Sequence, residues 1–203
     1  MQGITRPLVY VVAGWTGFYV MSVELLSGRI LAPDFGNSIY IWGATITVFM
    51  LALSLGYLGG GYLSLVNPSL RRLGAVLIVI ATATVPVILV SEPTLGWIFD
   101  NVPDPRYGSL LASMALFFVP TVIAGTVAPY SIRLLATHTR VSGQSAGMLY
   151  FVSTFGSAAG TLATSFYLVL WFELNSIFIG LIAVTAVLGL AAILAPQEAL
   201  DAN

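Results

Sequence analysis

The chain contains no cysteine and no lysine, a single histidine, and few charges of either sign: Asp, Glu, Lys and Arg make up 7% of its 203 residues. Without cysteine there are no disulfides, thiolate metal sites or cysteine nucleophiles, and no redox compartment is indicated. Without lysine, Schiff-base chemistry is excluded. All seven basic residues are arginine, and with so few of them no nucleic-acid partner is expected. The charge content is about a quarter of that of a soluble domain. What fills the chain instead is apolar: 58% of residues are hydrophobic.

These residues fall into six long runs, Leu8–Leu26, Ile39–Leu63, Leu73–Val90, Leu110–Val127, Gly147–Trp171 and Ser176–Leu194. Each is near the ~20 residues that a helix needs to cross a ~30 Å hydrocarbon layer. Period-2 alternation is absent, which argues against a transmembrane barrel. The expectation is an all-α polytopic membrane protein, one domain over residues 1–203, with the lipid bilayer as its first partner. Arg6 before an apolar run resembles a signal peptide, but that run is too long, carries Glu24 and lacks a clear cleavage site, so a retained first span is expected.

Basic residues set the orientation, because positively charged loops stay in the cytoplasm. With the N-terminus inside, Arg6, Arg71, Arg72, Arg133 and Arg140 are cytoplasmic and only Arg29 and Arg106 lie outside. Both termini are therefore expected in the cytoplasm. Connections are short except Ser91 to Ser109, which carries Pro93, Pro103 and Pro105 with Trp97 and Phe99. Thr94 is a candidate cap for a brief interfacial helix there, a lid or a float.

Two segments echo each other. Ser27-Gly28-Arg29-Ile30-Leu31-Ala32 closes the first span and Ser131-Ile132-Arg133-Leu134-Leu135-Ala136 the fourth, and Tyr40 and Tyr150 then open the second and fifth. Helices one to three match four to six in this reading, and an odd number per unit makes the repeat inverted across the membrane, 3+3. Gly56, Gly60 and Ser64 share one face of the second span, and Gly156, Gly160 and Thr164 one face of the fifth. Such small-residue faces serve helix packing, since water expulsion does not drive association within lipid. Pro86 and Pro120 lie inside spans three and four and each removes a backbone donor, so kinks are expected there.

Glu24 is the leading site candidate. An ionisable group inside a span costs roughly 3 kcal/mol on insertion scales and faces a protein interior or a watery cavity. Arg29, five residues on, lies about 140° around the helix, so the two pair poorly. The functional reading of Glu24 is a cation or proton site; the structural alternative is a hydrogen bond or ion pair to another helix. Gly59-Gly60-Gly61 has no strand before it and no Lys-Ser/Thr after it, so it is read as packing surface and not as a phosphate loop. His138 stands alone in a loop with no partner for a metal set. Arg71, Arg72, Arg133 and Arg140 fix topology and offer a cationic face to headgroups or a cytoplasmic partner. No Ser/His/Asp set, paired carboxylates or HExxH is present, so no catalytic residue, metal or cofactor is expected.

The run from Glu24 through Leu25-Leu26-Ser27-Gly28-Arg29-Ile30-Leu31-Ala32-Pro33-Asp34-Phe35-Gly36-Asn37-Ser38, followed by Trp42-Gly43 and Gly56-Tyr57-Leu58-Gly59-Gly60-Gly61, resembles the membrane region of spermidine-synthase-like proteins. Pro120-Thr121-Val122-Ile123-Ala124-Gly125, Ala128-Pro129-Tyr130-Ser131-Ile132-Arg133 and the stretch Gly147 to Thr161 are similar to that family's fourth and fifth helices. In fused members such a bundle precedes a cytoplasmic, Rossmann-like aminopropyltransferase domain that uses decarboxylated S-adenosylmethionine. No such catalytic domain is expected in these 203 residues, so synthase activity is not carried over. The same region is similar to half of a major-facilitator transporter. Gly56, Gly60, Arg71 and Arg72 match that superfamily's loop between helices two and three, but Ser64-Leu65-Val66-Asn67-Pro68-Ser69 stands where its acidic residue belongs.

The resemblance implies a transporter-like protein in the plasma membrane of a prokaryote, acting as a homo-oligomer or with a separate subunit, on a cationic or polyamine-like solute. Glu24 and Arg29 would meet the solute, with Tyr40, Trp42 and Tyr150 as aromatic walls for a cation. The rival is a non-transporting membrane anchor for a separately encoded synthase-like enzyme, held through Arg71, Arg72, Arg133 and the tail.

Overall fold

A computed structural model describes residues 5–135 and 142–196. Among them every regular element is helical: α1 Thr5–Phe35, α2 Ile39–Leu63, α3 Leu70–Asn101, α4 Pro105–Gly125, α5 Val127–Leu135, α6 Ser142–Ala163, a π-helical turn Thr164–Leu168, α7 Val169–Trp171 and α8 Leu174–Leu194. Five helical stretches are long and apolar enough to cross a membrane: α1, α2, α3, α4 taken with α5, and α8. The remaining expected span, Gly147–Trp171, is the path α6–π turn–α7, whose α-helical hydrogen bonding is interrupted by the π turn.

The chain switches direction where local chemistry allows it. α1 ends at Gly36, whose φ of 84° suits a residue without a Cβ and whose N–H returns to the Ala32 carbonyl at 2.9 Å. Ser69 caps α3 by accepting from the Arg72 N–H. Asp104 caps α4 by accepting from the Arg106 N–H at 2.9 Å, with Pro105 in the first turn, where a missing N–H is harmless.

Two expectations on length need correction. α1 does not stop at Leu26 but continues to Phe35, and α3 does not stop at Val90 but continues to Asn101, so Ser91 to Ser109 is no lid. The buried face of α3 runs on at helical spacing through Val87, Leu95 and Ile98, which holds the helix together across Pro93. The two extensions support each other: Phe35 packs edge-on against Phe99, with ring centroids 6.3 Å apart, and lies on Gly108 of α4. Trp97 and Phe99 remain exposed, as interfacial aromatics do.

The bundle is built from three helix pairs: α1 packs chiefly on α6, α2 on α4, and α3 on α8. Glycines set the first two. A Cβ on Gly156 would lie 2.0 Å from the Gly14 carbonyl oxygen, and one on Gly160 2.5 Å from that of Phe18. A Cβ on Gly56 would lie 2.3 Å from the Val122 oxygen, and one on Gly60 2.4 Å from that of Thr126. Residue numbers rise together across both seams, so α1 runs parallel to α6 and α2 parallel to α4. In the third pair Gly74 meets Ile193 while Gly189 meets Ile78, an antiparallel order. Half of the most apolar stretch of α1 and of α4–α5 is buried, against a third in α2 and α8, so α1 and α4 form the interior.

Candidate functional site

The interior helix α1 spends its polar side chains on different neighbours, one after another along its length. Trp15 Nε1 donates to Thr185 Oγ1 of α8 at 2.9 Å. Tyr19 Oη and Thr84 Oγ1 of α3 share a hydrogen bond of 2.5 Å, and the Thr84 hydroxyl also reaches the Ile80 carbonyl. Thr164 Oγ1, in the π turn, meets Ser22 Oγ at 2.8 Å with both groups buried. Arg29 Nη1 donates to the Val169 carbonyl of α7 at 3.2 Å. These contacts order α1 against α8, α3, the π turn and α7 in sequence.

Glu24 lies within this ladder and is left out of it. Its backbone carbonyl accepts from Ser27 Oγ at 2.6 Å, but no ion pair or hydrogen bond reaches its half-buried carboxylate among the described residues. The length of α1 changes its depth. Counted over Leu8–Leu26 the acid sits near the outer end, whereas over Thr5–Phe35 it is only about 6 Å beyond the helix midpoint at 1.5 Å per residue. Arg29 is taken up by Val169 and does not approach it, as the 140° between them requires.

The other candidates divide. Gly28, one turn beyond Glu24 on the same side of α1, has no Cβ and receives the Trp42 ring, whose Cη2 lies 2.7 Å from where a Cβ would sit. Trp42 Nε1 is anchored to Asn37 Oδ1 at 2.7 Å. Trp42 is thus brought to the Glu24 side of α1 and held there. Tyr40 is exposed and lies under the guanidinium of Arg106, 5.3 Å from ring centroid to Cζ. Tyr150 is exposed six residues before Gly156, which is level with Gly14, so it stands about 24 Å along the helix axes from Glu24. The structure does not bring Tyr150 to Glu24.

Several residues of this region were not singled out by sequence reasoning. Ser22 and Tyr19 are ordinary hydroxyl residues in an apolar run, and Thr164 was marked only as a small packing residue. The π turn left no readable signal, although such turns recur at functional sites because they re-aim side chains and loosen backbone bonding. At the other end of the bundle, Arg72 donates to the Val66 carbonyl and Arg71 Nε to that of Ile193 at 3.4 Å, so both have partners within the chain. His138 and Arg140 lie outside the described residues, and among those described no group of His, Asp or Glu is placed to hold a metal. Comparison of the chain with protein-family models, with curated proteins and with solved structures finds no match.

Proposed function

We propose that this chain is a six-span, solute-handling membrane protein in which Glu24 attracts an ammonium-bearing cation, acting with a second copy of itself. The observation that carries this reading is a carboxylate without a partner among the described residues, near the middle of one of the two most buried helical stretches. In that setting a structural glutamate needs a partner, and the nearest cation along the chain is engaged elsewhere. Trp42 supplies an aromatic wall one turn away. The choice of polyamine-like solutes rests on the resemblance to spermidine-synthase-like membrane regions alone, as does the plasma membrane of a prokaryote.

The sixth span in this reading is α6–π turn–α7. Its parallel alignment with α1 gives alternating directions for all six helices, and Arg6, Arg71, Arg72 and Arg133 then share the cytoplasmic side with both termini. A 3+3 inverted repeat is supported by the seams: Gly56 and Gly60 sit against Val122 and Thr126 as Gly156 and Gly160 sit against Gly14 and Phe18. The partner copy is supported by Gly43, Gly59, Gly61 and Gly147, whose missing side chains face open space on α2 and α6. Bare backbone on a lipid-facing helix is where another helix approaches closely.

Reconstituted vesicles provide the test. Uptake of radiolabelled putrescine and spermidine is expected for the wild type, and Glu24→Gln is expected to lower it by about tenfold or more, the loss of about 1.4 kcal/mol of charge attraction. Wild-type vesicles that accumulate neither amine, or Glu24→Gln vesicles that keep full uptake with an unchanged elution profile, would refute the proposal.

A further inference from the structure

From Glu24 toward the connection between α1 and α2, the same face of α1 carries Gly28, Leu31 and Phe35 at helical spacing. Leu31 and Phe35 are buried, and Phe35 is seated on Gly108 of α4. Gly28 has no side chain and is covered from α2 instead. Trp42 lays its ring over it, with Cη2, Cζ2 and Cζ3 at 2.7, 3.0 and 3.1 Å from where a Cβ would sit. The indole therefore closes this face of α1 about 6 Å along the axis from Glu24. Met21 and Leu25, on the partly open flank beside the acid, are apolar. A cation coming from the α1–α2 end of the bundle meets the indole before the carboxylate.

We propose that the Trp42 indole is a gate, latched by Asn37 and shut in this structure, on the route to Glu24 from the end of the bundle that carries the α1–α2 connection. Its purpose rests on the reading of Glu24 as a cation site; its action rests on geometry alone. Leu31 and Phe35 belong to the core, whereas Trp42 is only partly buried. One exposed hydrogen bond, from Nε1 to Asn37 Oδ1 at 2.7 Å, fixes the indole. Water replaces such a bond at little cost. Ile39, one turn earlier on α2, is 80% exposed, so the ring has room to swing out.

The parts of the device lie close together in the chain. Asn37 stands in the short connection Gly36-Asn37-Ser38, which Gly36 turns at a φ of 84°, and Trp42 follows in the first turn of α2. Gly28 is the seat, because a larger residue there would push the ring off α1. An aromatic gate suits an ammonium-bearing solute, since the face that swings aside also attracts the passing cation.

Because the chain has no cysteine, a single Glu24→Cys reports the gate without any solute. The full chain in oriented membrane vesicles is treated with the impermeant cation trimethylammonioethyl methanethiosulfonate from one side at a time, with Asp100→Cys marking the side of the α1–α2 connection. From that side the reporter is expected to react slowly. Trp42→Ala should speed it about tenfold or more, as removal of a gate that is open about 10% of the time or less would do. Asn37→Ala should speed it about fivefold by releasing the latch, and Gly28→Ala should speed it by displacing the ring. Combined with Trp42→Ala, Asn37→Ala should add nothing, because the latch acts only through the indole. Unchanged rates in these variants, equal acceleration from both sides, or a further gain from Asn37→Ala in the absence of Trp42 would overturn the gate. Vesicles that label as expected but take up no amine would sink the cation reading of Glu24 and leave the gate standing.

Discussion

Gly156→Ala probes the bundle at its tightest point. The added carbon would sit 2.0 Å from the Gly14 carbonyl oxygen and 2.7 Å from its carbonyl carbon. Carbon and oxygen settle at about 3.3 Å, so α1 and α6 must part by roughly 1.3 Å at the crossing, because neither obstacle is a side chain that can swing aside. A gap of about 0.5–1 Å already forfeits a quarter to a half of the dispersion well, and overpacked sites cost about 1–3 kcal/mol. Removing a helical glycine returns about 0.5–1 kcal/mol, leaving a net loss of about 1 kcal/mol at mid-range and up to about 2.5 kcal/mol. Gly180 of α8, which is not among the glycines proposed to meet a second copy, is the control. Nothing lies within 4 Å of a carbon added there, so Gly180→Ala should keep only the gain of about 0.5–1 kcal/mol. Unfolding by SDS titration in mixed micelles, followed by helical circular dichroism, should therefore move in opposite directions for the two variants. Wild-type stability in Gly156→Ala, or indistinguishable curves for the pair, would refute the close-packed α1–α6 seam. Gly56→Ala, facing the Val122 oxygen at 2.3 Å, is expected to lose a similar amount if the two seams are equivalent.

The absence of cysteine makes topology simple to read. A single cysteine in place of the exposed Val66, between α2 and α3, should be labelled by an impermeant maleimide only from the cytoplasm, and one in place of Asp100 only from outside; the reverse pattern would invert the proposed orientation. Thr164→Val strands the buried Ser22 hydroxyl and should cost about 1–3 kcal/mol, whereas Ser22→Ala combined with Thr164→Val should recover most of that loss. A double variant as unstable as Thr164→Val would mean that the hydroxyl pair is not what ties α1 to the π turn.

The sequence was informative wherever a boundary is set by neighbours along the chain. α2 occupies Ile39–Leu63, as its hydropathy indicates, because Ser38 precedes the apolar run and Ser64 follows it. It misled where polar residues find partners far away. Ser27, Gly28 and Arg29 look like the end of a span, yet Ser27 bonds back to the Glu24 carbonyl, Gly28 admits the Trp42 ring and Arg29 reaches Val169, so the helix passes through them. Pro93 looks like a stop for α3, but burial of Leu95 and Ile98 outweighs one lost backbone bond. The site was legible only as an anomaly of charge at Glu24. The hydroxyl pair beside it joins residues 142 positions apart, and no local pattern encodes such a meeting.

The fate of Arg29 bears most directly on the proposed role of Glu24. Five residues turn a helix through about 140°, so α1 presents the acid and the base to different neighbours by its geometry alone. Had the two been four apart, as on the face shared by Glu24 and Gly28, they would have met as a helical ion pair, and the carboxylate would have been neutralised within the bundle. Instead the guanidinium is drawn off by a carbonyl at the end of the π-interrupted helix. A carboxylate kept apart in this way retains its attraction for a cation from outside the chain, at a cost of roughly 3 kcal/mol that a purely architectural helix could avoid with leucine. Glu24→Leu should therefore stabilise the bundle while removing whatever Glu24 binds. A variant that is destabilised would instead mark the acid as part of the scaffold.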